Sequence, residues 1–501
     1  MNLCHLYLSI VSSFDIRIYT LMNVLFAVWE LDPFFKFGGL GDVARTLPGA
    51  LATLGVDIRI ILPYYKALKL SNYTKSDVGH LTVKFAGKAE PVEIYSVVHP
   101  TSKVLVYLIR NKKYLDVAKS ADTFAFFNLA VVESILGKKL PFVPDIIHCN
   151  DHHTSLIPLL SKEKKLQVKS ILTIHNLSYQ GKASVNTLEK LNLSKSKCKV
   201  LHWESKNKQV NFLMEGVIHA DIVNTVSPTY AKEIMTEEFG YDLEDILRGK
   251  EGRVFGIING IDVDYLRNIM NHSIDYPYGK PGQDQRAGSK KKFYHWAEGK
   301  KLNKLYLQKK LGLTVTDKIP MFSFIGRFDP MQKGMDILHK MMRRINLENF
   351  QFCILGSGNK NWEERFQWLC KFYPENVSCN FKFDEVLAHQ IYAASDFIII
   401  PSKFEPCGLV QMISMFFATL PIAHRTGGLI DTIKENVDGI LFERYTSESL
   451  ERAVKKAHYL WKAEKSKYKT MVEAALSADF SWKSSAAEYV KLYEGLVKGE
   501  Y

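Results

Sequence analysis

A chain of 501 residues is longer than one hydrophobic core comfortably serves, so two domains are expected. Its 47% hydrophobic and 24% charged content is ordinary for a globular protein, and no apolar run is long enough to span a bilayer. The formal charge of +13 has a local source: between Gly279 and Lys310 ten basic residues stand against two acidic ones, which reads as a solvated basic segment rather than a nucleic-acid footprint.

Residues 1–21 lack the basic start and small-residue cleavage pattern of a signal peptide and read as a non-essential leader. Met22 opens "MNVLFAVWE", whose core, 23–28, predicts a buried strand. From Leu40 the spacing of Val43, Ala44, Leu47, Leu51 and Leu54 predicts a helix that Pro48 should bend or restart. Strands follow at 57–62, 104–109, 145–148, 170–175 and 221–226, with helical stretches between several of them. After a join near Val254 to Asp262 the rhythm restarts, with strands at 321–326, 350–356, 396–401 and 420–424. Helices should begin near Gly334, Trp362, Asp384, Leu409 and, for the tail, Ser481. That alternation argues two doubly wound α/β halves with parallel sheets, 22–257 and 258–480, and a terminal helix over 481–501. Seven dispersed cysteines without a C-x-x-C pair read as free thiols in a reducing compartment, the cytoplasm.

In such sheets ligands bind beyond the carboxyl ends of the strands. "KFGGLGDV", 36–43, follows the first strand and leads into a helix: a bare backbone, a helix N-terminus and Lys36 suit an anion, most simply a phosphate. The spacing matches neither the dinucleotide nor the P-loop fingerprint, and a ligand-free glycine turn fits equally. "FIGRFDPMQKG" puts Arg327 and Lys333 in one strand-to-helix loop, where they can grip a diphosphate, although two surface cations are the commoner fate of such a pair. "HCNDHHT", 148–154, and "TIHNLSYQG", 173–181, supply the Asp, His, Asn and Gln mix that hydroxyl-rich ligands use. Their spacing is not that of a helical metal site such as H-E-x-x-H, so no metal is assigned. In "PSKFEPCGLVQM" Glu405 precedes Gly408 and a helix start; it can accept bonds from two hydroxyls, or serve only as a helix-end charge.

Together these stretches resemble the bacterial glycogen synthases and plant starch synthases, two-domain glycosyltransferases of the B-type fold. "ELDPFFKFGGLGDV" is similar to the family's E-x-x-P-x-x-K-x-G-G-L-G-D-V, and "PDIIHCNDHHT", "TIHNLSYQG", "INGID", "PSKFEPCGLVQ" and "RTGGLIDT" follow in family order. The resemblance implies two Rossmann-like domains facing a cleft, a nucleotide-sugar donor, an α-1,4-glucan acceptor, and no cofactor, nucleic acid or membrane. Lys36, Gly38 and Gly39 would meet donor phosphates or sugar, Asp151 the acceptor hydroxyl, and His175 the transferred glucose. Arg327 and Lys333 would hold the diphosphate and Glu405 the glucose hydroxyls. Asn259, Gly408, Leu409, Thr426 and Gly427 would line the donor, with Tyr392 by the adenine. The family's retention implies front-face displacement of glucose from ADP-glucose, with UDP-glucose the poorer donor. A glucan-binding paralogue without catalysis, or a related glycosyltransferase using another donor such as UDP-glucose, is the alternative. Three departures stand out: Asn150 replaces the second histidine of H-x-H-D-W-H-T, His152 its tryptophan, and six positions rather than five separate Arg327 from Lys333. The extra length is expected to bulge at Asp329–Met331 while both cations still converge.

Overall fold

The computed structural model describes residues 22–116, 120–193, 209–280, 291–382 and 384–501. The expected leader, Cys4, Cys198 and the stretch 281–290 of the basic segment lie outside the described residues.

The first domain is built on nine strands: β1 (Asn23–Ala27), β2 (Asp57–Pro63), β3 (Ser76–Phe85), β4 (Lys88–Val98), β5 (Leu105–Arg110), β6 (Ile146–Asn150), β7 (Lys169–Ile174), β8 (Ile222–Thr225) and β9 (Val254–Gly256). Their order is β9-β8-β7-β6-β1-β2-β5-β4-β3. Central strands such as β6 are buried at every position, which is why they read as unbroken apolar runs. β3 and β4 were not expected. They form an antiparallel hairpin added to the edge, and their polar, half-exposed pattern carries no such run.

The second domain has six strands, β10 (Met321–Ile325), β11 (Gln351–Leu355), β12 (Val377–Asn380), β13 (Phe397–Ile400), β14 (Leu420–His424) and β15 (Ile440–Phe442). All are parallel, in the order β12-β11-β10-β13-β14-β15. This is the doubly wound order in which the first strand neighbours the fourth and a crevice opens between them. The first domain has the equivalent break between β1 and β6.

The chain crosses between domains twice, and the crossings run side by side. Ile261 N–H donates to Phe480 O at 2.8 Å, and Ile261 bridges Ser481. Gly260 is required there, because a Cβ would sit 2.7 Å from the Trp482 ring. The last helix, Trp482–Lys498, then packs into the first domain's core. Its Tyr493 hydroxyl lies 2.7 Å from His148 Nδ1, and its Tyr489 hydroxyl accepts from Asn224 Nδ2 at 3.0 Å.

Two expectations need correction, and a third, for Pro48, loses one of its two alternatives. Helix Gly39–Thr53 runs through Pro48 without a restart. Pro48 is buried in a row with Ala44, Leu47 and Leu51, and that packing outweighs one lost backbone bond. Cys370 and Cys379 are not free thiols but are bonded to each other, because the turn after helix Lys360–Phe372 folds back onto β12 and brings their Cα atoms to 6.5 Å. Cys149, Cys353 and Cys407 are free and buried. Nor is the basic segment solvated throughout. Lys300 and Lys304 are 4% and 3% exposed. Lys304 pairs with Asp396 at 2.7 Å, while Lys300 donates to Phe417 O at 2.8 Å and Thr419 Oγ1 at 2.6 Å. Burial pulls the Lys300 ammonium down to about 7. A long aliphatic stem lets an ammonium reach such carbonyls from a helix that composition alone marks as surface.

Candidate active site

Each domain delivers its candidate residues from loops beside its strand-order break. In the first, the chain leaves β1 and turns through Glu30 to Gly39 before helix Gly39–Thr53 begins. The buried Glu30 carboxylate accepts from the backbone N–H groups of Phe37 and Gly38, both at 2.8 Å. The glycine loop therefore binds an anion, and in this state that anion is the protein's own. Lys36 extends over the loop and pairs with Asp42 at 2.6 Å. A Cβ added at Gly38 would meet nothing within 4 Å, whereas one at Gly39 would lie 3.6 Å from Leu409 of the other domain. The two walls meet at that point.

Asp151 follows β6 with a left-handed backbone, φ 54°, a conformation that aspartate tolerates better than most residues. Its Oδ1 accepts from the His175 N–H at 2.7 Å. Burial raises this carboxyl to about 7 against the lowering pull of the His175 and Asn176 amides, with the Glu30 charge adding to the rise. His175 itself is lowered to about 4 by burial and is neutral at ordinary pH. Its Nε2 lies 2.9 Å from Asn150 Oδ1. The Asn150 amide nitrogen donates to Ala27 O at 3.0 Å, so its oxygen is the acceptor and His175 must carry its proton on Nε2. Asn150 thus sets the tautomer and leaves the Nδ1 lone pair available. His148 and His153, by contrast, are packed among aromatic rings, and burial lowers His148 to about 3.

The second wall comes from the loops after β10, β13 and β14. Lys333 Nζ meets Glu405 Oε2 at 2.7 Å, and Ser402 Oγ donates to the same oxygen at 2.8 Å. The longer loop therefore keeps Lys333 in the site. Pro330 and Met331 are exposed, Met331 N–H donates to Asp329 Oδ1 at 2.9 Å, and Lys333 N–H returns to Asp329 O at 2.9 Å, so the extra residue sits in a tight turn over Asp329–Met331. Arg327 is exposed and makes no hydrogen bond or ion pair among the described residues. The backbones of 405–408 and 426–428 interlock: Gly428 N–H donates to Glu405 O at 2.9 Å, and a Cβ at Gly427 would lie 2.0 Å from that oxygen. Gly408 and Gly427 both have positive φ, at 74° and 48°.

Thr426 and Gly427 are engaged across the cleft. Glu233 of the first domain accepts from Gly427 N–H at 2.8 Å and from Thr426 Oγ1 at 3.3 Å, and burial raises its carboxyl. Asn259 is buried beside the crossing, and its Oδ1 has no partner among the described residues. Tyr392 is buried with its ring stacked on Phe417 at 6.0 Å, and its carbonyl accepts from Thr419 Oγ1 at 2.6 Å. A cavity of about 940 Å³ lies elsewhere: it is behind helix Gly39–Thr53, lined by Arg45, Asp262 and Trp482, and none of the sequence-predicted site residues borders it. Among the described residues no His, Cys, Asp or Glu cluster is arranged to hold a metal ion.

Sequence reasoning missed Glu30 and Glu233 because a lone glutamate carries no spacing signal. Its only clue for Glu30 was the first letter of the "ELDPFFKFGGLGDV" stretch.

Two doubly wound parallel-sheet domains that face each other across a cleft have the architecture of a B-type glycosyltransferase. Comparison with known proteins agrees and goes further. A starch synthase catalytic domain model matches residues 23–249, and a glycosyl transferases group 1 model matches 308–475. The chain is 34% identical to glycogen synthase of Streptococcus pneumoniae, with 95% of this chain and 100% of that protein covered. It is 38% identical to glycogen synthase of Fervidobacterium nodosum, covering 94% and 98% respectively. The catalytic domain of starch synthase IV from Arabidopsis thaliana, solved with ADP and acarbose, superposes with a TM-score of 0.83 at 31% identity, covering 95% of this chain and 99% of that chain. A sucrose-phosphate synthase from Thermosynechococcus elongatus shares the fold at a TM-score of 0.59 and 17% identity. The chain belongs to the glycogen and starch synthase family and is a glucosyltransferase of that kind.

Proposed function

We propose that the protein transfers glucose from ADP-glucose to the non-reducing end of an α-1,4-glucan, with retention of configuration. The observation that carries this reading is the Lys333–Glu405 pair, on the same loop as an Arg327 that has no partner among the described residues. A departing nucleoside diphosphate gains negative charge, and fixed cations in a site shielded from water stabilise that charge strongly. Arg327 and Lys333 take that task, and the reading calls on no cofactor. Glu405, held by Lys333 and Ser402, is oriented to accept from glucose hydroxyls. On the opposite wall His175 offers its Nδ1 lone pair to a sugar hydroxyl, and Asp151 stands behind it for the acceptor side. Glu30 and Glu233 yield their N–H donors to the incoming donor's oxygens. Tyr392 is assigned to the adenine and Asn259 to the donor. A cytoplasmic location is supported by the three buried free thiols, while the Cys370–Cys379 bond argues against it.

Incubating purified protein with ADP-glucose or UDP-glucose and a maltooligosaccharide primer, with NMR of the new linkage, tests this. Extension from ADP-glucose with α-anomeric product is expected. Equal or better turnover with UDP-glucose overturns the donor assignment, and glucan binding without any transfer turns the chain into a scaffold.

A further inference from the structure

Helix Lys360–Phe372 directs Glu363, Phe366 and Leu369 into the core. On its other side Asn361, Glu364, Arg365 and Trp368 border a groove of about 540 Å³, which His339 and Arg343 close from helix Met335–Met342. Positions 361, 365, 368 and 372 follow helical spacing, so this is a continuous outward stripe. Its far end is aromatic. Trp368, Phe372 and Tyr373 are 46%, 57% and 41% exposed, and the Trp368 and Phe372 rings lie 4.1 Å apart. Three large rings exposed within six residues form a patch, not scattered surface apolarity. The Cys370–Cys379 bond, inside the same stretch, ties this end of the helix to β12. The Arg343 guanidinium stands 5.9 Å from the Trp368 ring and that of Arg365 4.9 Å from Trp362, and neither has a carboxylate partner among the described residues.

The patch is not part of the cleft. Trp368–Tyr373 immediately precede β12 and so lie at the amino ends of the parallel strands, whereas the candidate active site lies beyond their carboxyl ends. The helix starts on the cleft side, where Asn359 N–H donates to Phe328 O at 3.0 Å, and the aromatic end that carries the site lies roughly 16 Å further along its axis, on the opposite side of the sheet.

We propose that this stripe is a second carbohydrate-binding site that holds an α-1,4-glucan chain away from the catalytic cleft. The inference rests on the glucan acceptor proposed above. A glucopyranose ring presents an apolar C–H face to an aromatic ring and a belt of hydroxyls at its edge. Trp368 and Phe372 supply the flat surfaces; Asn361, Arg365, Arg343 and Glu364 supply both donors and acceptors for the belt. A polyanion would use the arginines but not the rings, and would be repelled by Glu364. A polymer anchored here keeps its other chain ends at high local concentration near the cleft, which helps a long acceptor and does nothing for a short one.

The test uses the full-length protein. Migration is measured in native gels with and without glycogen, alongside initial rates with glycogen and with maltotetraose. Trp368→Ala combined with Phe372→Ala should keep its melting temperature and its maltotetraose rate. It should lose retention by glycogen, with the half-saturating glycogen concentration rising roughly fivefold to tenfold. Trp368→Phe, which keeps a ring, should recover most of the retention. Wild-type retention should persist at about 0.5 M salt, where charge attraction is screened. Unchanged retention in the double variant overturns the site. Retention that vanishes in salt overturns it, because stacking on a neutral glucan is not screened. A change in sedimentation coefficient with retention intact overturns it in favour of a protein interface. If wild type transfers no glucose yet shows ring-dependent retention, the catalytic reading fails and this one stands.

Discussion

Glu405 receives Lys333 Nζ and Ser402 Oγ on a single oxygen, leaving Oε1 for a ligand. Glu405→Gln should therefore lower turnover by about 100- to 1,000-fold, equivalent to about 2.7–4 kcal/mol, with ADP affinity by calorimetry nearly unchanged. Near-normal turnover would return Glu405 to a helix-end charge. Asp151 and His175 make opposite demands on pH. Asp151 is raised from 3.8 to about 7, so the native state holds a proton that the unfolded state has lost, and stability falls as pH rises through that window. His175 is lowered from 6.5 to about 4, so the native state refuses a proton that the unfolded state takes, and stability falls as pH drops below about 6.5. Asp151→Asn keeps an acceptor for the His175 N–H and removes only the first effect. Its urea midpoint should gain on wild type between about pH 4 and about pH 7. An offset independent of pH would contradict the buried, raised carboxyl.

At the scale of elements the glycines separate into two kinds. Gly334 adopts φ 69°, and a Cβ there would lie 2.0 Å from Pro401 O, so the strand-to-helix turn itself requires glycine. Gly38 has φ −145° with open space around it, so the fold does not require it. Gly334→Ala should lower the melting temperature, with about 1–3 kcal/mol lost to overpacking and left-handed strain. Gly38→Ala should leave stability within about 0.5 kcal/mol of wild type while raising the donor KM, because the methyl occupies space that a ligand needs. Equal melting curves for both variants would refute the distinction. The turn at Asp329–Met331 belongs at this scale too: Asp329 accepts from Met331 and Lys333 and absorbs the additional residue locally, so Lys333 still reaches Glu405.

Across the whole molecule the segment Ser227–Glu233 of the first domain latches onto the second. Ser227 Oγ donates to Pro406 O at 2.6 Å, Thr229 donates twice to Asp431 at 2.7 and 2.8 Å, and Glu233 reaches Gly427. Asp431→Ala removes two of these bonds and should raise the radius of gyration of the ligand-free protein in small-angle scattering. An unchanged profile would mean that the crossings and the remaining Ser227 and Glu233 bonds suffice to hold the domains. Those crossings depend on the terminal helix. Deleting residues 482–501 strips the first domain's core of Trp482, Tyr489 and Tyr493 and leaves His148 and Asn224 without their hydroxyl partners. Buried polar groups left unpaired are costly, so the shortened protein should be insoluble or lose its cooperative unfolding transition.

Hydrophobic runs placed ten of the parallel strands within a residue or two, because a strand covered on both faces must be apolar throughout, but they gave no sign of β9, β12 and β15, which are only three or four residues long. The same logic hid the hairpin β3–β4, whose edge position permits polar residues. Motif order brought Lys36, Asp151, His175, Lys333 and Glu405 to loops at strand ends, since chain topology alone puts those loops on one side of each sheet. The partners of those residues were decided only by the tertiary structure. That Glu233 spans the cleft to Gly427, that Asn150 sets the proton on His175 and that Lys300 is buried against Thr419 are contacts between residues far apart in the chain, whereas Glu30 fills the glycine loop from only eight residues away, through a turn that residue spacing does not mark. No local spacing encodes such contacts, because their geometry exists only after the chain has folded back on itself, within one domain for Asn150 and Lys300 and between the two for Glu233.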